Sequence, residues 1–339
     1  MDILTIKNDM KDWVKIIKPY QEANTNKAIV QILNSFLPFI AVWCLMYFAY
    51  AISYWYVLAL AMLNSLFLVR IFIIQHDCGH YSFFESRKWN KIIGTMCSLL
   101  TTIPFKYWAR VHSFHHGHVG QLENRNVGDI NVLTVKEYHS LPSLRKFYYR
   151  IFRNPLFIFV VAPTVYLSIS NRLPFMIFQK GWKELFWGQL FNNLGLVAFY
   201  GILSYFLGWK VVLGIHLPIV FFFGIIAFWF FYIQHTHEHT YMEEQKNWDY
   251  LIASLKSSTY YKLPKLWQWF TGNIGFHHIH HLSSKIPNYN LEKCAKENPI
   301  LQKYVTILTF KESLKCMFYT LWDEQQGKMI SFRDYYAMY

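Results

Sequence analysis

The sequence predicts an all-α integral membrane protein: two transmembrane helical hairpins, four spans in all, carrying a helical cap on one side of the bilayer. Three observations predict it. Of the 339 residues, 54% are hydrophobic and 20% aromatic, too apolar for an ordinary soluble domain of this length. Four apolar segments, approximately 28–51, 55–74, 184–209 and 211–235, can each cross a hydrocarbon core of about 30 Å, which takes roughly 20 helical residues. Of the 33 Lys and Arg, the two hairpins these segments form hold only Arg70 and, in the second link, Lys210.

Each element follows in order. Residues 1–27 are polar, with Lys7, Lys11, Lys15, Lys18 and Lys27, and lack the apolar core of a secretory signal. The first two spans are joined around Ile52 to Tyr54 and the last two around Gly208 to Lys210, links short enough to make each pair a hairpin. The positive-inside rule then puts both termini and the long middle segment in the cytoplasm. Two shorter apolar stretches, 89–104 ending at Pro104 and 155–170 containing Pro163, would split the basic segments across the membrane if either crossed. They read as interfacial or re-entrant pieces. Lys262 to Phe270, with Trp267 and Trp269, reads as an interfacial helix, and 76–183 with 236–339 as the cytosolic cap. No repeat or linker divides the chain, so 1–339 is expected to be one domain.

Composition also excludes some functions. The five cysteines are odd in number and never spaced C-x-x-C, which argues against a disulfide framework, a cysteine zinc site or an iron-sulfur cluster. A net charge of +13 is compatible with nucleic acid binding, but its segregation to the segments outside the spans is what cytosolic loops facing anionic lipid require.

The chemistry lies in the fifteen histidines, most of which fall in four clusters at membrane boundaries. His76 and His80 follow the second span, four apart, so on a continuing helix their rings share a face. His112, His115 and His116 are three and four apart, and His277, His280 and His281 repeat that spacing. His235, His237 and His239 end the fourth span. An even number of crossings brings all four clusters to one side. Eight histidines in H-x-x-x-H or H-x-x-H-H spacing exceed the four to six ligands of one transition metal and suit two ions. Imidazole alone does not name the metal. No histidine has Glu three residues before it, so the site is unlike the Glu-x-x-His pairs of soluble di-iron bundles.

These residues resemble the membrane fatty acid desaturases, in particular the bacterial acyl-lipid branch that includes the delta-5 phospholipid desaturases. The resemblance rests on HDCGH at 76–80, HSFHH at 112–116, YIQHTHEHTY at 232–241 and TGNIGFHHIHHLSSKIPNYNL at 271–291, with YKLPKLWQWF before the last box and LWDE near the end. It implies a four-helix membrane stalk and two iron ions at a cytosolic site in a bacterial inner membrane. The implied reaction uses O2 to place a cis double bond in a lipid-linked fatty acyl chain, with electrons from ferredoxin, flavodoxin or cytochrome b5. Carried over residue by residue, His76, His80, His112, His115, His116, His277, His280 and His281 become metal ligands. His235 best matches the extra ligand before the last box, and His239, four residues on, is a further candidate. His237 is expected beside the ligands rather than among them. His278, an x position of the last box, is left out, and His118, His139 and His216 default to structural roles.

Asp77, between two proposed ligands, either accepts the free N–H of a ligating imidazole or is a helix-end charge facing water. Arg70 is expected to snorkel toward the interface in preference to binding a lipid headgroup. Other reactions fit the same scaffold, acyl hydroxylation among them. A metal transporter is the non-enzymatic alternative, disfavoured because the spans carry few polar groups near mid-membrane.

Overall fold

The computed structural model describes residues 3–173, 183 and 185–339. Helix α1 (Thr25–Ile52) starts where the Asn24 side chain accepts the Lys27 backbone N–H at 2.9 Å. It stops at Ser53, whose extended backbone is the whole link to α2 (Tyr54–Gly79). α3 (Arg87–Thr101) ends where Thr102 adopts a left-handed φ of 59° ahead of Pro104, and α4 (Phe105–His118) begins at once. α5 (Ser143–Phe152) and α6 (Phe157–Arg172) meet at a bend of 58°. α7 (Leu185–Leu207) and α8 (Trp209–His235) form the second hairpin around Gly208, whose φ of 85° suits glycine. The expected third span starts at 184; that position, and 174–182 of the expected cap, lie outside the described residues.

α2 is the central helix. Over its most apolar stretch 56% of the residues are buried, against 6% for α7, which leaves α7 facing lipid along most of its surface. Val57, Ala61 and Leu68 of α2 pack with Phe39 and Met46 of α1 and with Ile215 and Phe223 of α8. Asn64 in the middle of α2 donates to the Phe39 carbonyl at 3.2 Å, an interhelical bond that stands in for water hydrocarbon does not offer.

The structure corrects the snorkelling expected of Arg70. The residue is buried; its Nε–H donates to Asn34 Oδ1 at 3.2 Å, and its guanidinium bonds the Trp269 carbonyl and lies 4.0 Å from the centroid of the Trp269 ring. Trp269 belongs to α9 (Lys265–Phe270), so Arg70 fastens the cap to the bundle. α9 is shorter than the helix expected from Lys262. Pro264 is its cap, and the Lys262 N–H is already given to the Leu308 carbonyl at 2.8 Å beside the parallel strands Thr259–Tyr261 and Thr306–Leu308.

Connectivity decides how to read the bent α5–α6 pair, which as a single span would be a fifth crossing. A Cβ added to Gly188, near the start of α7, would sit 3.1 Å from Lys106 Cβ on α4, and Leu185 clusters with Tyr107. α7 therefore begins on the same side as α4, which forbids an odd crossing between them. A pair that bends back on itself, as expected for 155–170, is consistent with that parity. On that side two short helices, Ile3–Asp9 and Trp13–Ile17, bury Ile6, Met10 and Ile17 against Ile252, Leu255 and Ile279 of the cap.

α3 crosses α4 closely because Gly94 has no side chain: an added Cβ would fall 2.3 Å from the Phe105 ring. Gly94→Val is expected to lower stability by about 1–3 kcal/mol through overpacking, read as a lower Tm in detergent. Phe105→Ala in the same chain should remove the crowding, and a double variant with the full sum of both losses would show that contact is not the cause.

Candidate metal centre

Four helix ends build the site. The last turn of α2 carries His76, and the His80 N–H bonds back to the His76 carbonyl at 3.2 Å, so the helical face continues through both rings. α4 presents His112, His115 and His116 from one face, all buried. α8 ends on His235. α10 (His277–Leu282) contributes His277, His280 and His281, and its last turn is held by the Tyr250 and Ser254 hydroxyls, which donate to the His281 carbonyl at 2.7 and 3.1 Å.

Nine imidazoles converge as two groups. In the first, one ring nitrogen from each of His76, His80, His112, His116 and His280 lies within 4.8 Å of all the others. His112 Nε2 is 3.0 Å from His76 Nε2 and 3.1 Å from His116 Nε2, which is 2.9 Å from His280 Nε2. The second joins His115, His235 and His281 within the same limit. His277 completes it, its Nε2 lying 2.9 Å from His235 Nε2 and 3.2 Å from His281 Nε2. The groups share a border where the His116 and His281 rings stack at 4.2 Å.

The outer nitrogens set which way the lone pairs point. His235 Nδ1–H donates to the Ser257 carbonyl at 2.9 Å, and His76 Nδ1–H donates to Asp77 Oδ1 at 2.9 Å, so both Nε2 atoms turn a lone pair inward. Asp77 Oδ2 in turn accepts the backbone and side-chain N–H of Asn288 at 2.6 and 2.8 Å, at the start of α11 (Asn288–Glu297). Of the two readings for Asp77, the buried acceptor is the one found. A neutral imidazole has one N–H, so rings meeting Nε2 to Nε2 cannot all satisfy one another. The buried Nε2 of His80 and Nδ1 of His116, His277, His280 and His281 also have no partner among the described residues. Convergent ring nitrogens, two of them with the lone pair held inward and several without a protein partner among the described residues, fit metal cations.

Burial, and then the neighbouring imidazoles, hold His80, His112, His115, His116, His277, His280 and His281 well below the usual histidine range. Burial pushes His237 and His278 down to about 3, and both stand outside the two groups.

His239 is the one proposed ligand that the structure leaves out. It is exposed, because α8 ends at His235 and Thr236 turns extended, so the offset of four no longer puts the two rings on one face. His118 and His139 bond the Phe114 carbonyl and the Tyr335 hydroxyl, and His216 bonds the Leu100 carbonyl and Tyr200. Ser257, Asn288 and Asp129 were not legible as site residues. Ser257 acts through its backbone, which carries no sequence signature. Asp129, 3.9 Å from His115 Nδ1, follows Gly128, whose φ of 74° marks a turn that only the structure shows to face the site.

A cavity of about 370 Å³ opens beside the imidazoles. Its wall includes His76, His112 and His277, and it runs among Ile103, Leu167 and Phe223 of the membrane bundle. An apolar slot beside two histidine groups able to hold metal ions has the form of a membrane enzyme acting on an apolar chain.

Residues 53–310 match the family model described as "Fatty acid desaturase". A fatty acid desaturase of Bacillus subtilis (strain 168) is 40% identical over 330 residues, covering 97% of this chain and 92% of the relative. An sn-1 oleoyl-lipid 12-desaturase of Picosynechococcus is 27% identical over 80% of this chain and 76% of its own. An sn-1 acyl-lipid omega-3 desaturase (ferredoxin) of Nostoc is 25% identical over 75% and 69%. The chain belongs to the fatty acid desaturase family, multi-pass membrane oxidoreductases that introduce double bonds into fatty acyl chains. These relatives do not favour the hydroxylase or the transporter.

The buried imidazoles make metal-free protein acid-sensitive. Above pH about 6.5 they are neutral folded or unfolded, so they contribute nothing to a pH dependence. Below it the unfolded chain takes up protons that the folded site refuses, and stability falls by up to about 1.4 kcal/mol per pH unit for each such ring. The chelated protein should therefore show a Tm that drops steadily from pH 6.5 to 5, and a flat Tm over that interval would contradict the buried, neutral state.

Proposed function

We propose that His76, His80, His112, His116 and His280 hold one iron ion and His115, His235, His277 and His281 a second, and that the pair desaturates a lipid-linked acyl chain lying in the cavity. The observation that carries this reading is the convergence of nine imidazoles beside an apolar slot. Imidazole binds several first-row metals, and iron is preferred here because the reaction consumes O2.

Bound there, the irons supply the oxidising chemistry: two hydrogens leave adjacent methylene carbons, the donor provides two electrons with two protons, and both oxygen atoms leave as water. The chain's own residues prepare it. Asp77 and the Ser257 carbonyl keep the Nδ1 protons of His76 and His235 outward and hold those rings in place. Phe72, Trp108 and Phe223 wall the slot, keep water out and align an extended chain past His76, His112 and His277. The depth of the slot beyond these imidazoles would set which bond is oxidised.

The relatives named for sn-1 acyl lipids support a membrane lipid as the acyl carrier, and those named for ferredoxin support a small redox protein as donor, with flavodoxin or cytochrome b5 as other candidates. The excess of Lys and Arg on the site's side supports a cytoplasmic orientation in a bacterial inner membrane.

Expression in a host with saturated acyl chains should yield lipids lighter by two hydrogens; chains heavier by one oxygen would make the enzyme a hydroxylase. Purified protein should carry about two irons per chain, the inventory these ligands suit. His235→Ala should lose the iron of the four-histidine group and all desaturation, whereas His239→Ala keeps metal and product. Metal loss from the His239 variant, or retention in the His235 variant, would refute the ligand assignment.

A further inference from the structure

A second concavity, a groove of about 960 Å³, lies between α5, α6 and the C-terminal segment, and shares no lining residue with the cavity at the imidazoles. Three guanidinium groups line it, Arg150, Arg153 and Arg333, and none of its lining residues is acidic. Arg153 is unusual. It is 3% exposed, yet it forms no ion pair with a carboxylate of the described residues. It donates only to neutral groups: the Asn131 carbonyl at 3.4 Å, the Tyr232 hydroxyl at 2.9 Å and the Tyr319 carbonyl at 3.1 Å. Its buried Nε–H has no acceptor among the described residues. Asp129 feels its charge only through space, and the nearby Asp334 carboxylate is taken by the Ser331 backbone and hydroxyl. A buried cation that no carboxylate touches is costly unless an anion completes the site.

The surroundings identify where that anion comes from. No residue of α5 is buried, and Leu144, Phe147, Ile151 and Phe152 are exposed along it, interleaved with Arg145, Lys146 and Arg150. An amphipathic basic helix on a membrane protein, with its apolar face unpartnered, lies in the bilayer interface. The groove beneath it offers apolar walls from Phe147, Ile151 and Phe318 next to the guanidinium groups.

We propose that this groove binds an anionic phospholipid, its phosphate meeting Arg150, Arg153 and Arg333 and an acyl chain lying along the apolar walls. It is a site apart from the metal centre, and it fastens the re-entrant α5–α6 unit to the membrane surface. Bidentate guanidinium contacts suit a phosphodiester, and membrane attraction adds to them.

The test uses full-length protein, delipidated in neutral detergent and titrated with phosphatidylglycerol, phosphatidylcholine or inorganic phosphate, with binding followed by native mass spectrometry and Tm. Arg153→Met also loses the Tyr232 and Tyr319 bonds, so the exposed pair Arg150→Glu with Arg333→Glu provides the second variant. Phosphatidylglycerol should bind at least about tenfold more tightly than phosphatidylcholine and raise Tm, the double variant should lose that preference with unchanged metal content, and phosphate alone should shift nothing. Equal binding of both lipids, an undiminished preference in the double variant, or equal stabilisation by phosphate would each overturn the proposal. So would an intact lipid preference in a double variant whose ferredoxin-driven turnover alone is lost, which would assign the arginines to the donor protein.

Discussion

The structure depends on one demand: nine imidazoles must be gathered with ring nitrogens turned toward each other. Such an arrangement is unfavourable in itself, since a neutral ring has one proton to offer and these rings meet nitrogen to nitrogen. It persists because each ring is carried on a helix whose position is set elsewhere. The α2 packing against α1 and α8 places His76 and His235, the α4 contact with α3 places the second box, and the Tyr250 and Ser254 hydroxyls hold the turn bearing His281. The scaffold thus brings the donors together, which is how a site built from distant segments keeps its geometry.

The same packing explains why oxidation and membrane are joined in one fold. The cavity has imidazoles in its wall and bundle residues along its length, so an acyl chain would not have to leave an apolar environment to reach the metal centre. Arg70 serves that continuity from the other side. Its guanidinium is stacked on Trp269 and bonded to the backbone of the interfacial helix, so the cap that carries the last box cannot drift from the bundle that forms the slot.

Polar groups inside the protein follow two distinct rules. Those near the imidazoles, such as Asp77, are fully engaged: one oxygen faces a ring N–H and the other takes two donors from Asn288. Arg153 is instead buried among neutral acceptors, with one N–H unpartnered among the described residues. The first pattern rigidifies a site, and the second is the one on which the proposed anion site rests.

Much of this was legible in the linear chain because a membrane narrows what a segment can be: about twenty apolar residues in a row match the thickness of a hydrocarbon core, and histidines three and four apart share a helical face whatever the fold. The four spans, the one-sided gathering of the boxes and eight of the ring positions followed from length, charge segregation and spacing. What spacing could not decide was where helices stop. His239 has the right offset from His235 and the wrong place, because the helix breaks between them. Likewise Arg70 reads as a snorkelling cation until the partner 199 residues away is folded against it. The division of nine rings into five and four, the backbone carbonyl that orients His235, and the slot beside them depend on contacts between segments far apart in sequence. Only the packed tertiary structure determines such contacts.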